Sequence, residues 1–548
     1  MKRDVGGLAT ETYDILVIGA GIHGACVARD AALRGFRVAL VDQGDFGGAT
    51  SHNSLKLIHG GLRYLQHADF RRVRQSVQER RFWLRAAPHL VRPLKFIIPL
   101  YGWGTRGPLA MGAAMQIYNL LQRGCNRGLP VDRQIPPAHL ISREECRRFI
   151  PGVDEKGLSA GAVWYDGQML DADRALLACV RQAQQVGASA ANYVAVDGFI
   201  GERETVEGVR AIDLISGEKL EIRARMTVNT AGPWIGQLLA ASQFECRPSR
   251  HPHLHKCMNL MTREFFPHYA VGIVSGRRSD SMVPRGGRLY FITPWRGRSI
   301  IGTTHVPFEG SPDSYEFRDD EINGFLSEVN AAYAPARLDR ADVEYCYAGL
   351  TPATASQARA RKTEIRDHEK RDGVSGLISV SGVKYTTARL VAERVVDLAA
   401  LKLTGRSGRH QSDNGMLPGA KGYTEFRALA EEARAIVPSA DEADIEDLIT
   451  SYGTAFREVL RLGADQEADR IVAGRCLYAL REEMAVRLSD LVFRRMNRTH
   501  FDPLDDRDLA WCACAMAKEL RWSRQTREAE LLDVQKKVAR HRGAVVTV

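Results

Sequence analysis

The first residues able to do recognisable chemistry are Gly19-Ala20-Gly21-Ile22-His23-Gly24. A short apolar and β-branched run, Tyr13-Asp14-Ile15-Leu16-Val17-Ile18, leads into them. The run ACVARDAALRG that follows reads as a helix, with Ala25, Ala28, Ala32 and Leu33 at its small or apolar positions and Gly35 as its stop. Phe36 to Val41 then reads as a second strand, with Asp42 at its end. In this order Gly19 permits the tight turn, Gly21 lets the backbone approach a pyrophosphate, and Gly24 lets the helix pack on the strand. The positive end of the helix dipole faces the phosphates. Asp42 stands 23 residues after Gly19, where an acid holds a ribose 2′-hydroxyl. The bare GxGxxG is weak; strand, glycines, helix, strand and terminal acid together predict a dinucleotide site. The acid favours FAD or NAD over NADP, and the N-terminal position leans towards FAD.

Two later segments add to this site. Arg225 to Trp234, RMTVNTAGPW, reads as a strand ending in a small-residue turn, where Ala231 and Gly232 allow close approach to a cofactor. A plain strand-to-helix turn is the competing reading. Leu377 to Thr387, LISVSGVKYTT, reads as strand, turn and helix. Thr386 and Thr387 sit at the helix start, where free backbone N–H groups meet an anionic flavin edge. Simple capping by threonine explains the same residues.

The run Lys56-Leu57-Ile58-His59-Gly60-Gly61-Leu62-Arg63-Tyr64-Leu65 resembles the KLIHGGLRYL signature of the aerobic, FAD-dependent glycerol-3-phosphate dehydrogenases, within the D-amino-acid-oxidase-like flavoproteins. Ala49-Thr50-Ser51 resembles the family's ATS, and Ala87-Pro88-His89-Leu90 a further block. Val228 to Trp234 resembles VNATGPW, Ile301 to Thr304 resembles IGTT, and Leu417-Pro418-Gly419 resembles LPGG. Gly382 to Arg389 resembles GGKLTTYR, with Val383 in place of the second glycine. Blocks in family order span about residues 13–420, with a helical tail beyond.

The resemblance implies an enzyme that oxidises glycerol 3-phosphate to dihydroxyacetone phosphate on FAD and passes electrons to a membrane quinone. It places Gly19, Gly21, Gly24, Asp42, Thr50, Ser51, Ala231, Gly232, Gly382, Thr386 and Thr387 on the cofactor. Such an oxidation sends a hydride to the flavin while a base takes the hydroxyl proton. A phosphate end needs Arg or Lys donors. Arg63 and Tyr64 match the substrate-side pair, the first to hold an anion and the second to donate a hydrogen bond. His59 is expected as base or flavin contact, against a structural histidine. Lys384 is expected to stabilise negative charge on substrate or reduced flavin, against a surface lysine. His255 and His305 are further candidates for the base.

The chain departs from the family at three further places. Thr351 stands in Gly349-Leu350-Thr351-Pro352 where the family reads GxRP, and lacks the arginine expected to grip the substrate anion. Asn259 stands in Lys256-Cys257-Met258-Asn259 where the family reads KGSH. His305 follows IGTT where Asp is common. These changes keep a second reading open: the same flavin scaffold acting on a different polyol phosphate, alcohol or amine. Arg285, Arg288, Arg296 and Arg298 crowd one stretch, read as a solvated hairpin rim or as a source of one anion contact.

The elements that must position these residues are an α/β assembly: a discontinuous Rossmann-type FAD domain (1–65, 160–240 and 345–405), an α+β substrate cap (66–159 and 241–344) and a C-terminal helical domain (406–548). Residues 96–121 are unusually apolar and flanked by Arg92, Lys95, Arg123 and Arg127. They are expected to contact a membrane surface without crossing it, against a buried cap helix. The composition, 45% hydrophobic and 26% charged, is globular rather than disordered. A net charge of +10 suits an anionic partner but selects none, and without a recognised binding module a nucleic acid is not expected. Ten cysteines without a CxxC pattern predict reduced thiols in a cytoplasmic protein, and no metal site is expected; the family resemblance implies a peripheral place on the inner face of the cell membrane. No signal peptide or transmembrane helix is expected. The family resemblance implies non-covalent FAD and a homodimer.

Overall fold

The computed structural model describes residues 1–103, 107–247, 249, 253–275, 288–353, 363–382, 384–408, 411–413, 415–497 and 504–542. Arg285 and Val383 therefore lie outside the described residues.

Two sheets carry the architecture. The first has the order Glu364–Asp367, Leu377–Ser381, Lys219–Asn229, Thr12–Ile18, Val38–Val41 and Ser189–Ala191. All neighbours in it run parallel except the first pair. An antiparallel hairpin, Val194–Glu202 with Thr205–Asp213, extends Lys219–Asn229. The fingerprint strand explains why this sheet is covered on both faces. Ile15 and Val17 enter one core, packed with the helices Ile22–Leu33, Ala172–Gln185 and Ala388–Thr404. Tyr13, Leu16 and Ile18 enter the core on the opposite face. Strand alternation separates Ile15 and Val17 from Leu16 and Ile18, while Tyr13, near the start of the strand, packs with the second set.

The helix Ile22–Leu33 is buried along nearly its whole length. Its exposed faces are taken by Ala172–Gln185 and Ala388–Thr404, and Ala25, Ala28, Ala31 and Ala32 keep that approach close. Asp171 caps the second of these helices through the N–H groups of Asp173 and Arg174.

The second sheet has the order Tyr345–Ala353, His253–Arg263, Arg298–Phe308, Leu289–Trp295, Tyr269–Val274, Val91–Tyr101, Leu158–Met169 and Leu57–Ile58. It is mostly antiparallel, with one parallel junction between Tyr269–Val274 and Val91–Tyr101. Leu57–Ile58, Leu158–Met169 and Tyr345–Ala353 are strands of this sheet although their residues fall largely within the segments expected for the FAD domain. Cross-strand pairing, not position in the chain, decides their place. The apolar stretch 96–121 splits in two. Its first part is the sheet strand Val91–Tyr101, and its second is the helix Pro108–Leu121.

Beyond residue 425 the described chain is helical and has two cores of its own. Mixed-sign pairs such as Arg427–Glu431 and Arg457–Glu432 lie on its surface. It is tied to the first sheet by buried charge. Asp45 accepts from Arg494 Nε at 2.5 Å, Arg495 Nη1 at 2.6 Å and Arg495 Nη2 at 2.9 Å. Burial opposes ionisation of Asp45, but the two guanidinium groups hold its carboxyl well below the usual range. Asp45→Ala would leave two buried cations short of their shared anion. Thermal unfolding is expected to show a loss of about 3–5 kcal/mol, seen as a lowered Tm.

Candidate active site

The cofactor cradle forms where the parallel strands end. Gly19 has φ of +88°, and a Cβ there would lie 2.8 Å from the carbonyl oxygen of Thr230. A Cβ on Gly24 would lie 1.8 Å from the carbonyl oxygen of Gly19. Only glycine fits either place. Gly21 precedes the helix with no side-chain cap, and Ser51 Oγ accepts from Ile22 N at 3.0 Å. Asp42 accepts from Ala20 N at 2.6 Å and from Gly44 N at 2.8 Å. Burial raises its carboxyl to about 6, against the lowering effect of these two donors. Ala231 and Gly232 stand beside Gly19 at the end of Lys219–Asn229, held by Thr230 Oγ1 donating to Ile18 O and Gly19 O. Thr50 Oγ1 donates to Leu350 O at 2.9 Å. A glycine-lined turn, a helix N-terminus whose N-cap Gly21 has no side chain, and an acid at the neighbouring strand end fit a dinucleotide such as FAD.

The reactive side is built on one buried carboxylate. Asp166, in the strand Leu158–Met169, accepts from Gly60 N at 2.6 Å and Arg80 Nη1 at 2.9 Å, and its other oxygen lies 3.2 Å from His59 Nδ1. Trp164 Nε1 adds a donor at 3.3 Å. Burial pushes the Asp166 carboxyl up, yet His59, Arg80 and the Gly60 N–H together hold it below its ordinary value. A carboxylate only accepts, so Nδ1 of His59 carries the proton of this bond and Nε2 is left as an acceptor. The His59 side chain is 48% exposed, at the rim of the cleft. Its ring lies 6.5 Å from Phe96 and 6.4 Å from Phe291.

Residues far apart in sequence meet here. His59 N donates to Thr386 Oγ1 at 3.0 Å, across 327 positions. Lys384 Nζ sits 5.1 Å from the centre of the Tyr64 ring, and Arg72 lies 5.6 Å from the same ring. Arg63, on the same short turn Leu62–His67, is exposed. Thr387 stands at the start of the helix Ala388–Thr404 and makes no side-chain cap bond. Gly382 is confined by Thr363, whose methyl would lie 2.6 Å from a Cβ.

The other candidates are engaged elsewhere. Asn259 Oδ1 accepts from Thr303 Oγ1 at 2.7 Å, and its Nδ2 donates to Asn53 O at 3.2 Å. It ties strands to a loop. His255 is lowered by burial, and then by His253 and Arg288. Arg296 pairs with Asp447 at 2.6 Å and Arg298 with Glu344 at 2.5 Å, so these two join structure rather than an anion. Arg288 bonds Tyr290 and Thr304 at 3.5 and 3.4 Å.

Sequence reasoning missed Asp166 and Arg80 as site residues. The signal was present: an acid inside the apolar run AVWYDG needs a buried partner.

Residues 14–398 match the family described as FAD dependent oxidoreductase, and residues 410–527 match the C-terminal domain of alpha-glycerophosphate oxidase. The chain belongs to the FAD dependent oxidoreductase family. A glycerol-3-phosphate dehydrogenase of Synechocystis sp. is 32% identical over 511 residues, covering 90% of each chain. One of Mycobacterium leprae is 32% identical over 501 residues, covering 89% of this chain and 81% of the relative. The X-ray structure of the glycerol-3-phosphate dehydrogenase from Bacillus halodurans complexed with FAD shares the fold, with a TM-score of 0.76 at 24% identity over 99% of this chain and 98% of that one. FAD is the cofactor of the family, and the cradle accommodates it. The discontinuous Rossmann-type unit, α+β cap and helical C-terminal domain expected from the sequence are all present.

Two outcomes are expected. A carboxyl raised from 3.8 to about 6 is protonated in the folded apoprotein below that value. Ribose hydroxyl donors require the carboxylate, so FAD affinity should fall as pH drops through about 6, and Asp42→Asn should flatten that dependence in a flavin titration. Asp166→Asn removes the acceptor that fixes the His59 tautomer. It should lower kcat about 100-fold or more in steady-state assays, with the bound flavin retained.

Proposed function

We propose that the chain oxidises glycerol 3-phosphate to dihydroxyacetone phosphate with FAD and passes the electrons to a quinone at a membrane surface. The observation that carries this reading is the His59–Asp166 pair standing beside the Tyr64–Lys384 contact, where the KLIHGGLRYL and GVKYTT segments meet. The names of the relatives supply the substrate.

FAD, when bound, supplies the two-electron acceptor for the carbinol hydrogen. The chain's own residues do the rest. His59 Nε2 takes the hydroxyl proton, and Asp166 stabilises the imidazolium that forms. Lys384 neutralises negative charge developing on the substrate oxygen and the flavin edge. Arg63, exposed on the turn before Tyr64, attracts and holds the anionic substrate. Phe96 and Phe291 wall the imidazole and keep water from that side.

The chain divides in this reading at the borders expected from the sequence, except that Leu57–Ile58, Leu158–Met169 and Tyr345–Ala353 go with the cap. The acceptor side rests on the surface around the helix Pro108–Leu121. Among the described residues no helix is long and apolar enough to cross a membrane. Trp103 is 80% exposed, and Phe70, Leu109, Ile117 and Leu120 are exposed near it in the chain or fold, with Arg71, Arg74, Arg123 and Arg127 also exposed. Apolar side chains rimmed by cations suit the interface of an anionic membrane at the inner face of the cell. Uncharged Thr351 favours a second reading, oxidation of a different polyol phosphate, alcohol or amine on the same scaffold.

Anaerobic bleaching separates the two. Glycerol 3-phosphate should reduce the oxidised flavin within seconds, and Lys384→Met should slow that reduction at least tenfold. Flavin that stays yellow with glycerol 3-phosphate and bleaches with another alcohol or amine moves the assignment to that compound.

A further inference from the structure

The carboxylate behind His59 is itself held by a buried cation. Arg80 belongs to the helix Phe70–Ala86. Its Nη1 donates to Asp166 Oδ1 at 2.9 Å and to the backbone oxygen of Tyr165 at 2.6 Å. The preceding Glu79 does not compete for it, being bound by Arg389 at 2.5 to 3.1 Å.

Two side chains from another element aim this guanidinium. The helix Pro108–Leu121 buries Met115 and Tyr118 and exposes Leu109, Ile117 and Leu120. Tyr118 Oη accepts from Arg80 Nη1 at 3.0 Å. Burial pushes the Tyr118 phenol well up, so it accepts as a neutral hydroxyl. Gln122, the C-cap of the same helix, accepts from Arg80 Nη2 through Oε1 at 3.0 Å. Its amide is steadied in turn by donating to Asn119 Oδ1 at 2.9 Å. A guanidinium is a rigid planar fork. Separate acceptors on Nη1 and Nη2 therefore leave it one orientation.

The orientation bears on the proton-taking step. His59 Nδ1 shares the other oxygen of Asp166 at 3.2 Å. A carboxylate partly neutralised by a guanidinium stabilises an imidazolium less than a bare one does. The groups facing the pair are Arg80, the Tyr118 phenol and, behind Arg80, the Cys125 thiol. Lys384 lies two residues from Thr386, which bonds the His59 backbone, and shares the Tyr64 ring with Arg72. The imidazole, 48% exposed, can hand its proton to water only if it does not hold it too tightly.

We infer that Arg80, aimed by Tyr118 and Gln122, is a positioning residue for proton removal: its guanidinium fixes the Asp166 carboxylate and sets how tightly the His59–Asp166 pair holds a proton. This rests on the reading of His59 as the base. The helix proposed for the membrane surface thus reaches the base through two hydrogen bonds on its inner side.

The test uses the FAD-loaded protein with two readouts: the pH profile of kcat/KM, and the His59 titration followed by NMR with carbon-13 in the imidazole. Arg80→Gln removes the cation, so the pair should keep its proton to higher pH. Both the acid limb of the profile and the His59 titration should move up by about one unit or more, and kcat should fall about tenfold or more with KM little changed. Arg80→Lys, which keeps the charge, should return the limb most of the way. A merely structural role would lower kcat without moving the limb. If Arg80→Gln does not retain flavin, Tyr118→Phe replaces it and should shift both readouts the same way by less. An acid limb that stays in place or moves down in the variant overturns the inference. Failure of the function reading shows separately, as a wild-type flavin that glycerol 3-phosphate leaves oxidised. The profile is then taken with the compound that does bleach it, and the NMR titration needs no substrate.

Discussion

The candidate active site depends on the Asp166 carboxylate. It sits in a cap strand, buried, and collects donors from the backbone at Gly60, from Arg80, from Trp164 and from His59. A buried carboxylate without such partners would be costly; with them it fixes the chain direction through the HGG turn. Gly60 has no room for a side chain, since a Cβ would lie 2.1 Å from the Tyr118 hydroxyl and 2.3 Å from Arg80 Nη1. The turn can approach the carboxylate only as glycine. The same carboxylate sets the His59 tautomer.

A second set of buried charges decides how the large units meet. Asp45 binds Arg494 and Arg495, Arg174 binds Glu483 at 2.5 Å, and Arg296 and Arg475 share Asp447 at 2.6 Å each. Each link joins the helical C-terminal domain to another part of the fold or closes it internally. Buried ion pairs add little net stability over apolar packing. Their geometry is exacting, however, and a mismatched docking would strand several charges. They therefore select one arrangement. The helix Arg524–His541 adds a contact of another kind: the His541 ring stacks on Tyr345 at 4.4 Å, and burial lowers its imidazole to about 3. A neutral ring is what that stack against the cap needs.

Among the described residues, the cap strands at Asn259, Cys257, His305 and Thr351 present a polar wall. Asn259, Cys257, His305 and Thr351 satisfy one another or the adjoining loop. Such a wall holds its shape by short contacts between strands.

The sequence by itself determined the cofactor fold. The glycines at 19, 21 and 24, the alternation of Thr12–Ile18 and the acid at 42 act over a few residues, where backbone sterics and strand period leave little choice. The family signature around His59 and Lys384 was legible for the same reason, as an ordered string. Tertiary structure alone decided which histidine has a carboxylate behind it, that Asn259 ties strands together, and that Arg296 serves the docked helical domain. It also gave the strands at 57, 158 and 345 to the second sheet, and showed that Cys257 joins His305 to Thr351. The side-chain contacts behind these outcomes join residues separated by 44 to 206 positions. Local propensity carries no record of such pairs, because their partners are chosen only when sheets and helices have packed and buried polar groups must find one another.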